Sequence, residues 1–469
     1  MALSPEWVQT PIAARAASTF ASVAVDAGGN AYAAGSIRGT DPYDFDDSVT
    51  AAGACTATNV LLVKYDSTGN TKWARTVAVA TGSSAFTGVV ADASGNVFAV
   101  GTITGSDPYD FGDSGNSVEA RSPYAFGNSL VIVNYDANNG TAKWAHTVRD
   151  APGASSYAAI AVDQSGNLYA AGTIVGNSQY DLGDGKTVAG ILLSGKSALL
   201  VKYSAAGTTQ WAQSLQSGSG ESSFAAVALD GSGHPYVACH IFGTQTFGFG
   251  NSVTATGTGS LNALLASYNA SGIAQWARTA TSGGNSSDFT AVAVDGTDNV
   301  LAAGSISGHT ANSFGTGASV AGAYATGPSV LLVKYDSSGT ALWGQSVVSA
   351  TGLSGFASLA LDPAGPIYAA GMLAGPGSYD FGNSMVVTTA SDGNEVLIAK
   401  YDSAGTCHGA QTAATGSSSS GFSAATADSA ANIYAAGTIN GPDWVDLGNS
   451  TKVSGAYHGG NNAILVKYQ

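Results

Sequence analysis

Short apolar runs alternate with clusters of Gly, Asn, Asp and Ser along the whole chain. In the first stretch the runs are "FASVAVD" (20–26), "NAYAAGSI" (30–37), "VLLVKY" (60–65) and "TKWARTV" (71–77). Runs this short, rich in Val, Leu, Tyr and Ala and bounded by turn residues, predict strands rather than helices. The first two are joined by "DAGGN" and the last two by "DSTGN". In each turn Asp can accept hydrogen bonds from turn amides, and Gly three positions later supplies a positive φ, so both pairs are predicted as tight antiparallel hairpins. The connection between the second and third runs is much longer, roughly twenty residues, and lies on the same face as the links from each fourth run to the next first run.

The pattern repeats. Trp7, Trp73, Trp144, Trp211, Trp276 and Trp343 recur at intervals of 65 to 71 by subtraction, and Gly409 stands where the next would fall. Tyr65, Tyr135, Tyr203, Tyr268, Tyr335, Tyr401 and Tyr468 each end a third run, and Asp26, Asp92, Asp163, Asp230, Asp295, Asp362 and Asp428 each close a first run. Both series count seven units. A fixed period of this kind marks a repeat architecture. The chain starts with a lone fourth run around Trp7 and finishes with a third run, "AILVKYQ". The expectation is an all-β, seven-bladed β-propeller of four-stranded antiparallel blades forming a single domain over 1–469. Its N-terminal strand, 5–10, completes the last blade and closes the ring. The blades are placed at 20–79, 86–149, 157–215, 224–280, 289–348, 356–413 and 422–469.

"VDAGGNAYAAGSI", "DFGNS", "LLVKYDSSG" and "LW", in this order, resemble the seven-bladed β-propeller (SBBP) repeats of bacterial secreted and surface proteins. The resemblance spans essentially the whole chain. It implies the propeller scaffold and an extracellular or cell-surface location, and it carries over no catalytic residues. Two departures, Cys239–His240 where most other copies carry Gly followed by Ser or Thr, and Gly409 for Trp, suggest drift in single blades.

Composition narrows the function. Sixteen Lys and Arg against 31 Asp and Glu give a formal charge of −15, which argues against nucleic acid as a partner. Cys55, Cys239 and Cys407 form no CxxC pair, so neither a zinc site nor a disulfide framework is expected. No apolar run has the roughly 20 residues a membrane helix needs. "MALSPEWVQT" has no basic start followed by an apolar stretch, so either the protein stays in the cytosol or a leader has been removed.

Candidate chemistry lies in the long connections. "DPYDF" occurs at 41–45 and at 107–111, and relatives of it recur: "YDLGDG" at Tyr180, "YDFGNS" at Tyr379, "WVDLGNS" at Trp444, and the weaker "FGFGNS" at Phe247 and "NSFGTG" at Asn312. Phe45, Phe111, Leu182, Phe249, Phe314, Phe381 and Leu447 are expected as structural plugs. The candidate ligand-binding pairs are Tyr43 with Asp44, Tyr109 with Asp110, Tyr180 with Asp181, Tyr379 with Asp380, and Trp444 with Asp446. Exposed aromatics beside carboxylates suit stacking on sugar rings or contact with a protein; the plainer expectation is that each Asp caps its own turn. Asp41, Asp44, Asp46 and Asp47, and again Asp107, Asp110 and Asp113, are close enough in sequence for calcium. Neither set has the DxDxDG spacing of a calcium loop, and no other cofactor is expected.

At the propeller axis the first runs begin at Phe20, Phe86, Tyr157, Phe224, Phe289, Phe356 and Phe422, with Asp288 the single charged neighbour. That ring lacks the acid and base pair of a hydrolase. The functional expectation is a non-enzymatic module binding a glycan or a protein through its long loops. The alternative is a structural protein self-associating by strand exchange at its N-terminal strand; an enzyme is the third reading. For the repeated Asp and for Lys64, Lys202, Lys334, Lys400 and Lys467, a structural Asp–Lys pairing or turn capping is expected.

Overall fold

The computed structural model describes residues 3–46, 48–113, 115–414 and 419–469. Its regular structure is entirely β, and among the described residues seven antiparallel sheets have four strands each. The first sheet runs Ser18–Val25, Ala31–Arg38, Thr58–Tyr65 and Thr71–Arg75, hydrogen-bonded in that order. Five more repeat this order along the chain. In the last, Ser420–Ala427, Ile433–Asn440 and Asn461–Tyr468 are followed by Pro5–Gln9, with Trp7 opposite Lys467 and Gln9 opposite Leu465. The first strand of each sheet packs on the first strand of the next, and Ser420–Ala427 packs on Ser18–Val25. Sheets arranged face to face in a cycle around a common axis make a β-propeller.

The burial of each strand follows its place in the sheet. Second and third strands are covered on both faces by neighbouring sheets, so "VLLVKY" and its copies are apolar without alternation and almost fully buried. Between the first two sheets, for example, Val60 and Leu62 meet Phe86, Val97 and Val131. Fourth strands lie at the rim and are only partly buried, each exposing its second residue.

The repeated tryptophans latch one sheet to the next. Trp73 donates its indole N–H to the Ala137 carbonyl at 3.3 Å, Trp276 to Ser337 at 3.0 Å and Trp343 to Ser403 at 3.0 Å; each acceptor lies in the next sheet's turn between third and fourth strands. Each ring also lies against the glycine of that turn: a Cβ on Gly140, Gly339 or Gly405 would sit 2.8–2.9 Å from it. Trp7 does the same to Ser67 and Gly69. The sixth sheet carries Gly409 at this position, opposite Lys400. The seventh sheet takes its fourth strand from the other end of the sequence, so no turn joins it to the third. The missing tryptophan therefore coincides with a missing docking point, which corrects the expectation of drift.

The Asp at the end of each first strand is a turn cap in all seven units. Asp26 Oδ1, for instance, accepts from the Gly28 and Asn30 amides at 2.9 and 3.0 Å, and Asp362 accepts from the Ala364 amide at 2.8 Å. Pairing with the repeated Lys occurs in one unit, Lys334 with Asp295 at 2.9 Å. Lys64 and Lys202 instead donate to the Ala137 and Ala270 carbonyls, and Lys467 to Ser67 O and Glu6.

Candidate functional site

Each long connection, expected as a loop, contains a small hairpin. Pro42–Asp46 pairs with Val49–Ala52, Pro108–Asp110 with Glu119–Arg121, and Gln179–Asp181 with Thr187–Ala189; the other four follow suit. The hairpin's first strand alternates inward and outward residues, so in "PYDF" both Tyr43 and Phe45 point into the protein. The plugs Phe45, Phe111, Leu182, Phe249, Phe314, Phe381 and Leu447 are all at most 5 % exposed.

The same alternation overturns the expectation of exposed tyrosines. Tyr43, Tyr109, Tyr180 and Tyr379 are fully buried. Tyr109 Oη donates to the Thr104 and Ser83 carbonyls at 2.7 and 3.0 Å and accepts from the Thr104 amide at 3.2 Å. Tyr43 and Tyr180 make the same three contacts with Arg38 and Ala17 and with Val175 and Ala154. Tyr379 bonds the Ala374 carbonyl at 2.9 Å. Burial raises all four phenol pKa values. These rings tie the hairpin to the blade edge and offer no face for stacking.

The aspartates cap the hairpins. Asp110, Asp181, Asp380 and Asp446 each accept, through Oδ1, from the amide two residues on, at 2.8–2.9 Å, and Asp44 accepts from Asp46 at 3.2 Å. Asp110 also receives the Val118 amide and the Ser117 hydroxyl; these bonds outweigh burial and lower its pKa. The backbone of each residue in this frame bonds the link that enters the first strand of its own sheet, as Asp110 does to Ala78 and Val79.

Trp444 differs from the tyrosines with which it was grouped. Val445, not Trp444, is the buried partner of the hairpin, so Trp444 sits one place earlier, where Pro42 and Pro108 stand, and is 62 % exposed. Asp446 keeps the capping role.

The calcium expectation fares differently at different positions. Asp41 and Asp113 are exposed, Asp107 accepts from the Thr81 hydroxyl at 2.6 Å, Asp44 and Asp110 are caps, and Asp47 lies outside the described residues. Among the described residues no three His, Cys, Asp or Glu side chains gather in a way that could hold a metal ion.

Pairing of the first two strands brings out what the sequence left scattered at the axis. The residue before each ring aromatic faces a partner on the second strand: Thr19 and Ser36, Ala85 and Thr102, Ser156 and Thr173, Ser223 and His240, Asp288 and Ser305, Gly355 and Met372, Gly421 and Thr438. His240 Nε2 lies 3.1 Å from Ser223 Oγ, a serine–histidine contact that sequence reading missed because 17 positions separate them. Asp288 does not complete a triad with it, since Oδ1 accepts from the Ser305 amide and hydroxyl at 3.0 and 2.7 Å. Burial lowers the His240 pKa.

Apolar exposure concentrates on the face carrying the long connections. Phe126 is 92 % and Leu193 84 % exposed, in the connections of the second and third sheets, and Ile12, Val79, Val348, Val386 and Trp444 share that face.

No family model matches the sequence, and no curated protein matches it. Solved structures with similar folds include the quinohemoprotein alcohol dehydrogenase of Comamonas testosteroni, at 12% identity over 99% of this chain and 76% of that one, with a TM-score of 0.41. A protein of unknown function from Dyadobacter fermentans DSM 18053 aligns at 8% identity over 100% and 99% of the two chains, TM-score 0.42. An ulvan lyase of polysaccharide lyase family PL25 aligns at 10% identity over 96% and 97%, TM-score 0.45.

Proposed function

We propose that this chain is a seven-bladed propeller of the secreted or surface repeat type, closed by its N-terminal strand, and that it acts as a non-enzymatic interaction module. Its partner is a protein, taken up on the face of the long connections outside the cell or at its surface. The observation that carries this reading is the near-complete exposure of Phe126 and Leu193 on neighbouring blades. Large apolar side chains held out in ordered loops are costly in water and are the usual anchors of a protein interface. A glycan is the weaker choice because the tyrosines that would have stacked on it are buried. The pairing of Pro5–Gln9 with Asn461–Tyr468 of its own chain supports the interaction module over strand exchange.

The test places a photo-crosslinking residue at Phe126, and in a second variant at Ile273 in a turn of the opposite face, and exposes both to a surface extract of the source cells. A discrete adduct formed from position 126, absent from position 273 and lost with Leu193→Ser, supports the reading. Equal labelling from both faces, or none from position 126, sinks it.

A further inference from the structure

A cavity of about 560 Å³ opens at the axis on the same face, walled by the fifth, sixth and seventh sheets. Its size suits a small ligand. It exists because two of the seven positions before the ring aromatics are glycine. A Cβ on Gly355 would meet nothing within 4 Å, and one on Gly421 only Met372 Cβ at 3.9 Å. Neither glycine has a positive φ, so the backbone would accept a side chain at either place.

The lining has one charged residue, Asp288. Its Oδ1 is held by Ser305, while no described hydrogen bond or ion pair engages Oδ2. Of the hydroxyls around it, Ser354 and Ser420 accept from the Val330 and Val396 amides, and Thr290 donates to the Phe356 carbonyl. Leu353, Met372 and Pro328 supply half-buried apolar wall. A single unpaired carboxylate in a concave, partly apolar site attracts a cation more strongly than it would at an open surface, and the net charge of −15 adds to that attraction.

We propose that this cavity binds a small organic cation, an ammonium or guanidinium group on a short aliphatic body, with its N–H groups on Asp288 Oδ2 and its carbons against Leu353 and Met372. The site stands on the cavity and the carboxylate and does not depend on the protein-partner reading.

The experiment titrates the full chain at low ionic strength with n-butylammonium, with 1-butanol as its neutral counterpart and with Nα-acetyl-lysine amide. Butylammonium is expected to bind and butanol not to. Asp288→Asn should weaken binding at least about tenfold, the loss expected for a hydrogen bond to a charged group. Gly355→Leu with Gly421→Leu should abolish it by filling the cavity while leaving the melting temperature unchanged. Tighter binding of the blocked lysine assigns the cation to a protein side chain, and tighter binding of butylammonium to a free amine. Failure of both amines to bind, equal binding of butanol, or an undiminished affinity in Asp288→Asn overturns the proposal. Loss of crosslinking at position 126 leaves it untouched.

Discussion

Two sets of buried tyrosines carry the same side chain for different reasons, and removing one oxygen separates them. Tyr109 Oη bonds the Thr104 carbonyl and joins the bond already made between the Thr104 amide and the Ser83 carbonyl. Tyr109→Phe should therefore cost about 1–3 kcal/mol in urea unfolding, the penalty of removing the partner of the Thr104 carbonyl. Tyr65, at the end of a third strand, is equally buried, but its hydroxyl has no partner among the described residues. Tyr65→Phe should be neutral or slightly stabilising in the same assay; a loss comparable to that at Tyr109 would show that Tyr65 has a partner unaccounted for. Glycine at the axis follows another rule. A Cβ on Gly101 would come within 1.9 Å of the Ala85 carbonyl oxygen, where the first strand bulges after Phe86. The fourth sheet holds Cys239 at this place, buried and with its thiol pKa raised by burial, so its backbone accommodates what the others exclude.

At the scale of the element, the hairpin turns predict the acid limit of stability. Burial would raise the Asp66 pKa, but hydrogen bonds from Thr68 and Asn70 outweigh it and hold it at about 2. Asp26, Asp136, Asp295 and Asp336 are likewise lowered by turn amides and side chains despite burial. A carboxylate whose folded pKa lies below its unfolded value of about 3.9 stabilises the protein above that value and loses its contribution as the pH falls through the folded pKa. The urea midpoint should be flat near neutrality and fall between about pH 4 and pH 2, and Asp66→Asn should shallow that fall. A midpoint independent of pH in this window would refute the capping account. These turns were legible in the sequence because Asp and Gly at fixed spacing have few other uses. The strands were legible because their composition matches burial on two faces. The DPYDF series was misread because a two-residue period within three to five residues is too short to distinguish from a loop, and with it went the orientation of Tyr43 and the frame of Trp444. The cavity was out of reach for a different reason: it depends on which glycines the register sets side by side.

Across the whole molecule, the tryptophan latches and the closing strand determine how neighbouring sheets are held. Trp73 is 5 % exposed and joins the first sheet to the second, so Trp73→Ala should cost about 3 kcal/mol or more. Gly409→Trp should gain nothing, since the seventh sheet has no turn there to receive an indole; a clear rise in melting temperature would contradict the latch. The closing strand joins residues that are furthest apart in sequence. Trp7 lies opposite Lys467, Glu6 pairs with Lys467 at 2.8 Å, and Ser4 and Gln469 exchange backbone hydrogen bonds. Removing residues 1–10 leaves Asn461–Tyr468 as an uncovered, largely apolar edge and strips Trp7 from Ser67 and Gly69. Such an edge recruits another chain. The shortened protein should melt lower and self-associate, with light scattering showing dimers or larger species that disappear when a peptide of residues 3–10 is added in excess. A monomer with unchanged melting temperature would mean that the cycle of sheets holds without its last strand, and that closure by the N-terminus is not what keeps the propeller together.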